Sequence, residues 1–235
     1  MLTVLSVFPD TLNMNGDAQN ALVLAQRARW SGGNARVVDL NRGMSASKMT
    51  PDVIVVGSGA ESGIPADLAA LREIEPSLAS WIRAGVPLLA VGSGWALLAE
   101  TIELIDGEVL AGIGLFSGRS VPASRVSDDI VVDSEWGRLV GYENHARSYM
   151  PTVGSRGLGR VVYGHGNAGA SIEGELVGRS IGTHLHGPVL AKNPALADHV
   201  LTTVLGDTYK RDSPTATRVD ALASTARNQI LEKLQ

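Results

Sequence analysis

Hydrophobic residues follow two rhythms along this chain. In the first hundred residues, short, mostly apolar runs alternate with longer stretches in which apolar positions recur every three or four residues. Leu2 to Phe8, Ala35 to Leu40, Val53 to Val56 and Val86 to Val91 are runs of strand length. Between them, Ala21, Leu24, Ala25 and Ala28 keep helical spacing until Gly32-Gly33 stops the run. Leu68, Leu71, Ile74, Leu78 and Trp81 mark one face of a second helix. Asn13 to Asp17 reads as a turn, with Asn15 or Asp17 able to cap the helix that follows. Strands alternating with helices predict a parallel sheet covered on both sides.

After about residue 106 the rhythm changes. Val109 to Phe116, Ile130 to Val132, Leu139 to Tyr142, Arg160 to Tyr163 and Leu176 to Ile181 are short strand-like pieces with polar interruptions. They predict antiparallel strands and loops appended to the same domain. His184-Leu185-His186-Gly187-Pro188 precedes a helix from about Pro194 to Val204. From Gly206 the composition turns polar, and Val219, Leu222, Ile230 and Leu234 point to a terminal amphipathic helix that docks, pairs with a partner or stays mobile. The expected division is one domain over residues 1–205 and a C-terminal extension over 206–235.

Composition narrows the function. A chain of 235 residues with 44% hydrophobic residues has enough material for a proper core. A net charge of −4, with no cluster of Lys and Arg, argues against a nucleic-acid binder. The absence of cysteine excludes disulfides, thiolate metal sites and a catalytic thiol. The apolar start lacks a basic region and reaches Asp10 too soon for a signal peptide. No run is long enough to span a bilayer, so the expected location is cytoplasmic.

The chemistry is organised around Val86 to Glu100. An apolar strand passes through Gly92-Ser93-Gly94 and resumes with the helix formers Ala and Leu. Strand, sharp turn, helix is how α/β hydrolytic folds lift a nucleophile above the sheet. In an elbow of the form small-x-nucleophile-x-Gly, Ala90 and Gly94 are the small flanks, and the nucleophile's place falls on Gly92. Glycine has no side chain with which to attack.

Three small-residue turns follow strands: Asn15-Gly16-Asp17, Gly57-Ser58-Gly59 and Gly92-Ser93-Gly94. Ligands in open α/β sheets gather at such ends. The N–H groups of Gly57 or Ser58, with that of Ser93, could face a developing oxyanion, or the glycines merely make tight turns. His186 is the best candidate for a general base, although histidines that only cap or pack are commoner. Asp17 could orient that base or cap a helix. Glu143-Asn144-His145 binds a ligand or makes a turn. His184 lies two residues before His186, which in a strand places both on one face. Two histidines without a further ligand do not make a metal site. Arg125 could grip a carboxylate or stay solvated. On residues alone, the chain is an α/β protein with a site at its strand ends.

Taken together, these residues resemble the CobB/CobQ-like branch of the class I glutamine amidotransferases. Within it they are most similar to the glutaminase subunits of lipid II isoglutaminyl synthase, the partners of Mur-ligase-like (MurT-type) subunits. The resemblance runs from about residue 2 to 205 and is most specific over Thr183 to Asp198. Gly141-Tyr142-Glu143-Asn144-His145, Gly166-Asn167 and Gly16-Asp17-Ala18-Gln19-Asn20 support it. It implies a flavodoxin-like fold, a mixed sheet with a parallel core flanked by helices. It also implies a chemistry: an elbow cysteine attacks the side-chain amide of glutamine, forms a glutamyl thioester and releases ammonia. A heterodimeric ligase partner then uses that ammonia to amidate the stem-peptide glutamate of lipid II. No cofactor is implied for this subunit. By position, the resemblance makes His186 the base and Asp17 its acidic companion. It assigns Arg125 to the α-carboxylate of glutamine, and Gly57, Ser58, Gly59 and the Ser93 N–H to the oxyanion hole.

The departure bears directly on mechanism. The expected elbow cysteine falls on Gly92, which closes the thioester route. His184 stands first in a segment that in the family reads aromatic-Leu-His-Gly, Gln19 replaces a glycine, and Ala96 replaces a residue that is often polar. Three explanations stand. The chain is a natural pseudo-glutaminase that positions a ligase, or it carries an introduced substitution that traps glutamine, or Ser93 serves as a displaced nucleophile. Ser93 ranks last, because a shift of one residue turns the attacking atom away from the hole.

Overall fold

A computed structural model describes residues 1–167 and 171–232; Leu234, expected in the terminal helix, lies outside them. The first half holds β1 (Leu2–Val7), α1 (Gln19–Trp30), β2 (Ala35–Leu40), β3 (Val53–Val56), α2 (Ile64–Arg83), β4 (Leu88–Val91) and the short α3 (Ser93–Leu97). Then come β5 (Thr101–Glu103), β6 (Val109–Ala111), β7 (Arg119–Ser134), β8 (Gly137–Met150), β9 (Gly159–Tyr163) and β10 (Ile172–Glu173). The chain continues with β11 (Glu175–Val177), β12 (Ser180–Thr183), α4 (Val189–Lys192), α5 (Pro194–Leu205) and α6 (Pro214–Leu231).

The central sheet has the order β11-β12-β4-β3-β1-β2. Its neighbours from β12 to β2 are all parallel, and β11 is antiparallel at one edge. Reading from β2, this is the flavodoxin-like 2-1-3-4-5 order with an added edge strand. All four residues of β3 are buried because the sheet is covered twice. Alternate side chains go to opposite faces: Ile54 and Val56 join the core with α2, while Val53 and Val55 join the core with α1 and α5.

A second sheet, of order β10-β9-β7-β5-β6 with β8 paired to β7, packs beside the first. The expected pieces 130–132 and 139–142 are only the part next to the turn of a long hairpin, β7–β8. Apolar residues mark the part that meets the core, and the polar remainder reaches over the strand ends. The expected strand from Val109 to Phe116 is shorter, ending at Ala111. The chain turns at Gly112, where a Cβ would sit 2.0 Å from the carbonyl oxygen of Ala99. Leu176 to Ile181 is likewise two strands, folded back at Gly178, whose φ of +57° suits glycine. The helix after the elbow stops at Leu97, sooner than its composition predicts.

Helix α6 is tied to α1. The buried Arg27 pairs with Asp198 at 2.7 Å and Asp220 at 2.6 Å, and the Tyr209 hydroxyl donates to the same Asp198 at 2.5 Å.

Candidate active site

Three turns that follow parallel strands meet above the sheet, and glycine lets them approach. A Cβ on Gly57 would lie 2.1 Å from the carbonyl oxygen of Leu12, and one on Gly94 2.2 Å from that of Gly57. Backbone packed on backbone leaves no room for side chains there. The Met14 N–H donates to the carbonyl of Ser58 at 2.7 Å, and the Gly92 N–H to that of Thr183 at 2.9 Å. Gly92 carries φ +57° and ψ −122°, a conformation that L-residues rarely adopt and that a nucleophile elbow imposes.

His186 arrives from the end of β12, and its backbone is pinned to β8. The His186 N–H donates to the carbonyl of Tyr142 at 2.9 Å. Its ring is 1% exposed and points at Asp17, with Nδ1 2.8 Å from Oδ2. The Ser58 hydroxyl donates to the same oxygen at 2.5 Å. A carboxylate only accepts, so Nδ1 carries the hydrogen; in the neutral ring Nε2 is then the basic nitrogen. That nitrogen has no partner among the described residues. It faces the elbow: a Cβ built on Gly92 would lie 3.2 Å from Nε2, 2.6 Å from Cε1 and 2.8 Å from the Ser58 Cβ. The dyad therefore stands against the nucleophile's place, and part of the space for a side chain is already filled.

Ser93 is committed elsewhere. Its Oγ accepts from the Gly59 N–H at 2.7 Å and donates to the Gly59 carbonyl at 3.2 Å. A hydroxyl whose hydrogen goes to Gly59 is not being deprotonated by His186. Arg125 sits on the β7 bulge between Pro122 and Val126, a device that re-aims a side chain. Its Nη2 donates to the Asn144 Oδ1 at 2.5 Å, and Asn144 in turn donates to Asn15 at 2.7 Å, so the guanidinium is held at the rim.

These residues line one cavity of about 90 Å³, bordered by Ser58, Gly59, Gly92, Ser93, Arg125, His184 and His186. The structure brings the candidate residues of the sequence reading to this one place except Gly57 and Asp17, which lie behind it. A larger cleft of about 390 Å³ opens at the other end of the sheet, near Pro87 and Ser180, and contains none of them. No group of three or more His, Asp or Glu among the described residues is arranged to hold a metal ion.

Two buried polar neighbours of the site escaped the sequence reading. Arg147 is buried beside the cavity, its guanidinium donating to Glu61, to the carbonyl of Glu103 and to the Ser120 Oγ at 2.8 Å. The alternation Glu143, His145, Arg147 on one strand face was its signal. Glu173 is buried and accepts from the His184 N–H at 2.6 Å and the Thr183 hydroxyl at 3.1 Å. Burial pushes its carboxyl up to about 8. In sequence, Ile172-Glu173-Gly174-Glu175 reads only as a turn.

Comparison with known proteins decides the family. The model of the CobB/CobQ-like glutamine amidotransferase domain matches residues 7–194, which include the dyad, all three turns and Arg125. The chain belongs to the CobB/CobQ-like glutamine amidotransferases. It is 30% identical over 203 residues to the GatD subunit of lipid II isoglutaminyl synthase (glutamine-hydrolyzing) from Staphylococcus aureus strain N315, covering 85% of this chain and 83% of that one. It is 27% identical over 219 residues to the corresponding GatD subunit of Streptococcus pneumoniae R6, covering 90% and 83%. The fold recurs in the crystal structure of a glutamine amidotransferase, with TM-score 0.58, 18% identity and coverage of 85% and 98%. It also recurs in the PurLQS structure of Thermotoga maritima, with TM-score 0.56, 16% identity and coverage of 87% and 99%. The fold is that of the class I glutamine amidotransferases, here with glycine at the elbow position and no cysteine in the chain.

Proposed function

We propose that this chain is the amidotransferase-type subunit of a ligase that amidates the stem-peptide glutamate of lipid II, and that it does not use the thioester route to ammonia. The relatives that it resembles over most of its length are named subunits of a glutamine-hydrolysing enzyme of this kind. The single observation that carries the reading is the buried Asp17–His186 pair facing a glycine elbow. In a thiol amidotransferase such a dyad accepts the nucleophile's proton and returns it to departing ammonia. Here the orienting carboxylate and the base stand in place, and the atom that would form the acyl bond is missing. The partner is a Mur-ligase-like subunit in a heterodimer, and the small-molecule ligand is glutamine.

A second reading is favoured by the crowding at Gly92. With His186 Cε1 and Ser58 Cβ inside the volume that a side chain needs, the site has closed around glycine. That supports a non-catalytic subunit that holds or regulates its ligase partner.

The experiment is glutamate release from glutamine by this chain, alone and with the ligase, beside Gly92→Cys. The expected result is no release from the unaltered chain. Turnover by Gly92→Cys supports a glutaminase lacking only its nucleophile, and a silent Gly92→Cys that still binds the ligase supports the scaffold. Turnover by the unaltered chain overturns both.

A further inference from the structure

One buried side chain at the cavity is used neither by the dyad nor by the fold's own hydrogen bonds. His184 is 3% exposed and lines the cavity, and neither of its ring nitrogens has a partner among the described residues. The ring is firmly held. It stacks on His145 with centroids 4.1 Å apart and planes at 22°, and Trp95 lies against it at 5.0 Å. Its backbone N–H is fixed by Glu173 at 2.6 Å. Burial, with His145, His186 and Arg147 nearby, holds the imidazole well below its usual range, so it is neutral.

A neutral imidazole carries one N–H donor and one bare acceptor. Buried polar groups are almost always paired, and an orphan is tolerated where function uses it. Phenylalanine would fill this aromatic slot without leaving polar atoms unpaired. The orphaned ring therefore points to a ligand that completes its hydrogen bonds.

We propose that His184 is a ligand-contacting, specificity-determining residue: the cavity binds, without cleaving it, a small amino acid whose side chain ends in a neutral primary amide, and His184 hydrogen-bonds that amide. The proposal rests on the reading above that this site takes glutamine. A primary amide both donates and accepts, so it matches His184 in either tautomer. A side-chain carboxylate only accepts, and it would enter near the fully buried Glu143 while Arg147, the buried cation lining the cavity, is already committed to Glu61. The pocket therefore discriminates glutamine from glutamate.

The test is isothermal titration of the intact chain with L-glutamine and L-glutamate, using the unaltered protein, His184→Phe and His184→Gln. His184→Phe keeps the stacked ring and removes both nitrogens; His184→Gln keeps a donor and an acceptor. The expected result is glutamine binding without glutamate release, at least tenfold weaker glutamate binding, a tenfold or greater loss in His184→Phe and partial retention in His184→Gln. Unchanged glutamine binding by a folded His184→Phe overturns the role of His184, as does a failure to discriminate glutamate. If the unaltered chain binds neither amino acid, the glutamine reading itself falls, and the proposal with it. Should His184→Phe fail to fold, His184→Leu takes its place, and unchanged glutamine binding by that folded variant would overturn the assignment.

Discussion

Asp17 and His186 are separated by 169 residues, yet Oδ2 of one lies 2.8 Å from Nδ1 of the other in a site that water does not reach. The pair connects the end of β1 to the end of β12 across the two strands, β3 and β4, that lie between them. Ser58, from the end of β3, donates to the same carboxylate oxygen, so three strand ends share one acceptor.

Removing that acceptor leaves the buried His186 Nδ1–H without a partner, while the Ser58 hydroxyl still has the Met14 carbonyl at 3.2 Å. An orphaned buried donor costs about 1–3 kcal/mol, so Asp17→Ala is expected to lower unfolding stability by about that much. Asp17→Asn, which keeps an acceptor oxygen, loses less. Urea unfolding of the three proteins checks this, and a loss too small to measure in Asp17→Ala would show that the pair adds nothing to the fold.

A side chain at position 92 meets both an unfavourable φ of +57° and the ring of His186. Strained backbone and overpacking each cost about 1–3 kcal/mol. Gly92→Ala is therefore expected to lower the thermal midpoint, and Gly92→Cys to do the same while displacing the His186 ring. A crystal structure of Gly92→Cys reads the displacement directly; an unmoved ring at full stability would contradict the crowding.

Helix α6 hangs on a buried guanidinium. Arg27→Ala strands Asp198 and Asp220, and breaking a buried pair costs about 3–5 kcal/mol. Asp220 is 30% exposed, so Asp220→Ala costs about 1 kcal/mol or less and chiefly frees the helix. Limited proteolysis is expected to cut near residue 212 sooner in Asp220→Ala than in the unaltered chain. Equal cutting rates would mean that other contacts hold α6.

The buried carboxyl of Glu173 makes stability depend on pH. Its folded value of about 8 lies above the ordinary 4.5, so the folded chain holds a proton that the unfolded chain has released. The stability from this group is complete below 4.5 and is lost as pH rises toward 8. His184 acts in the opposite sense, losing stability as pH falls below 6.5, so the interval from 6.5 to 8 isolates Glu173. Melting temperature is expected to fall across that interval and to stay flatter in Glu173→Gln. The same slope in both proteins would assign the effect to another group.

Sequence alone determined the elements whose burial is continuous. The all-apolar runs of β3 and β4, the mostly apolar β1 and the helical spacing of α1 and α2 are local consequences of cover on both faces of a sheet, and local pattern suffices to read them. It also located the elbow at Gly92 and nominated Asp17, Ser58, Arg125 and His186, because turn glycines and polar residues at strand ends are visible in one dimension. The tertiary structure decided the rest. The length of the β7–β8 hairpin was hidden because only the part next to its turn is continuously apolar, while its open end is paired to β5, a strand not adjacent in the chain. Arg147 and Glu173 were missed because their partners come from other elements. That His186 crowds Gly92, that Ser93 bonds to Gly59 and that His184 is left unpaired are relations between side chains far apart in the chain. Such relations exist only once the sheet has brought its strand ends together, and no periodicity records them.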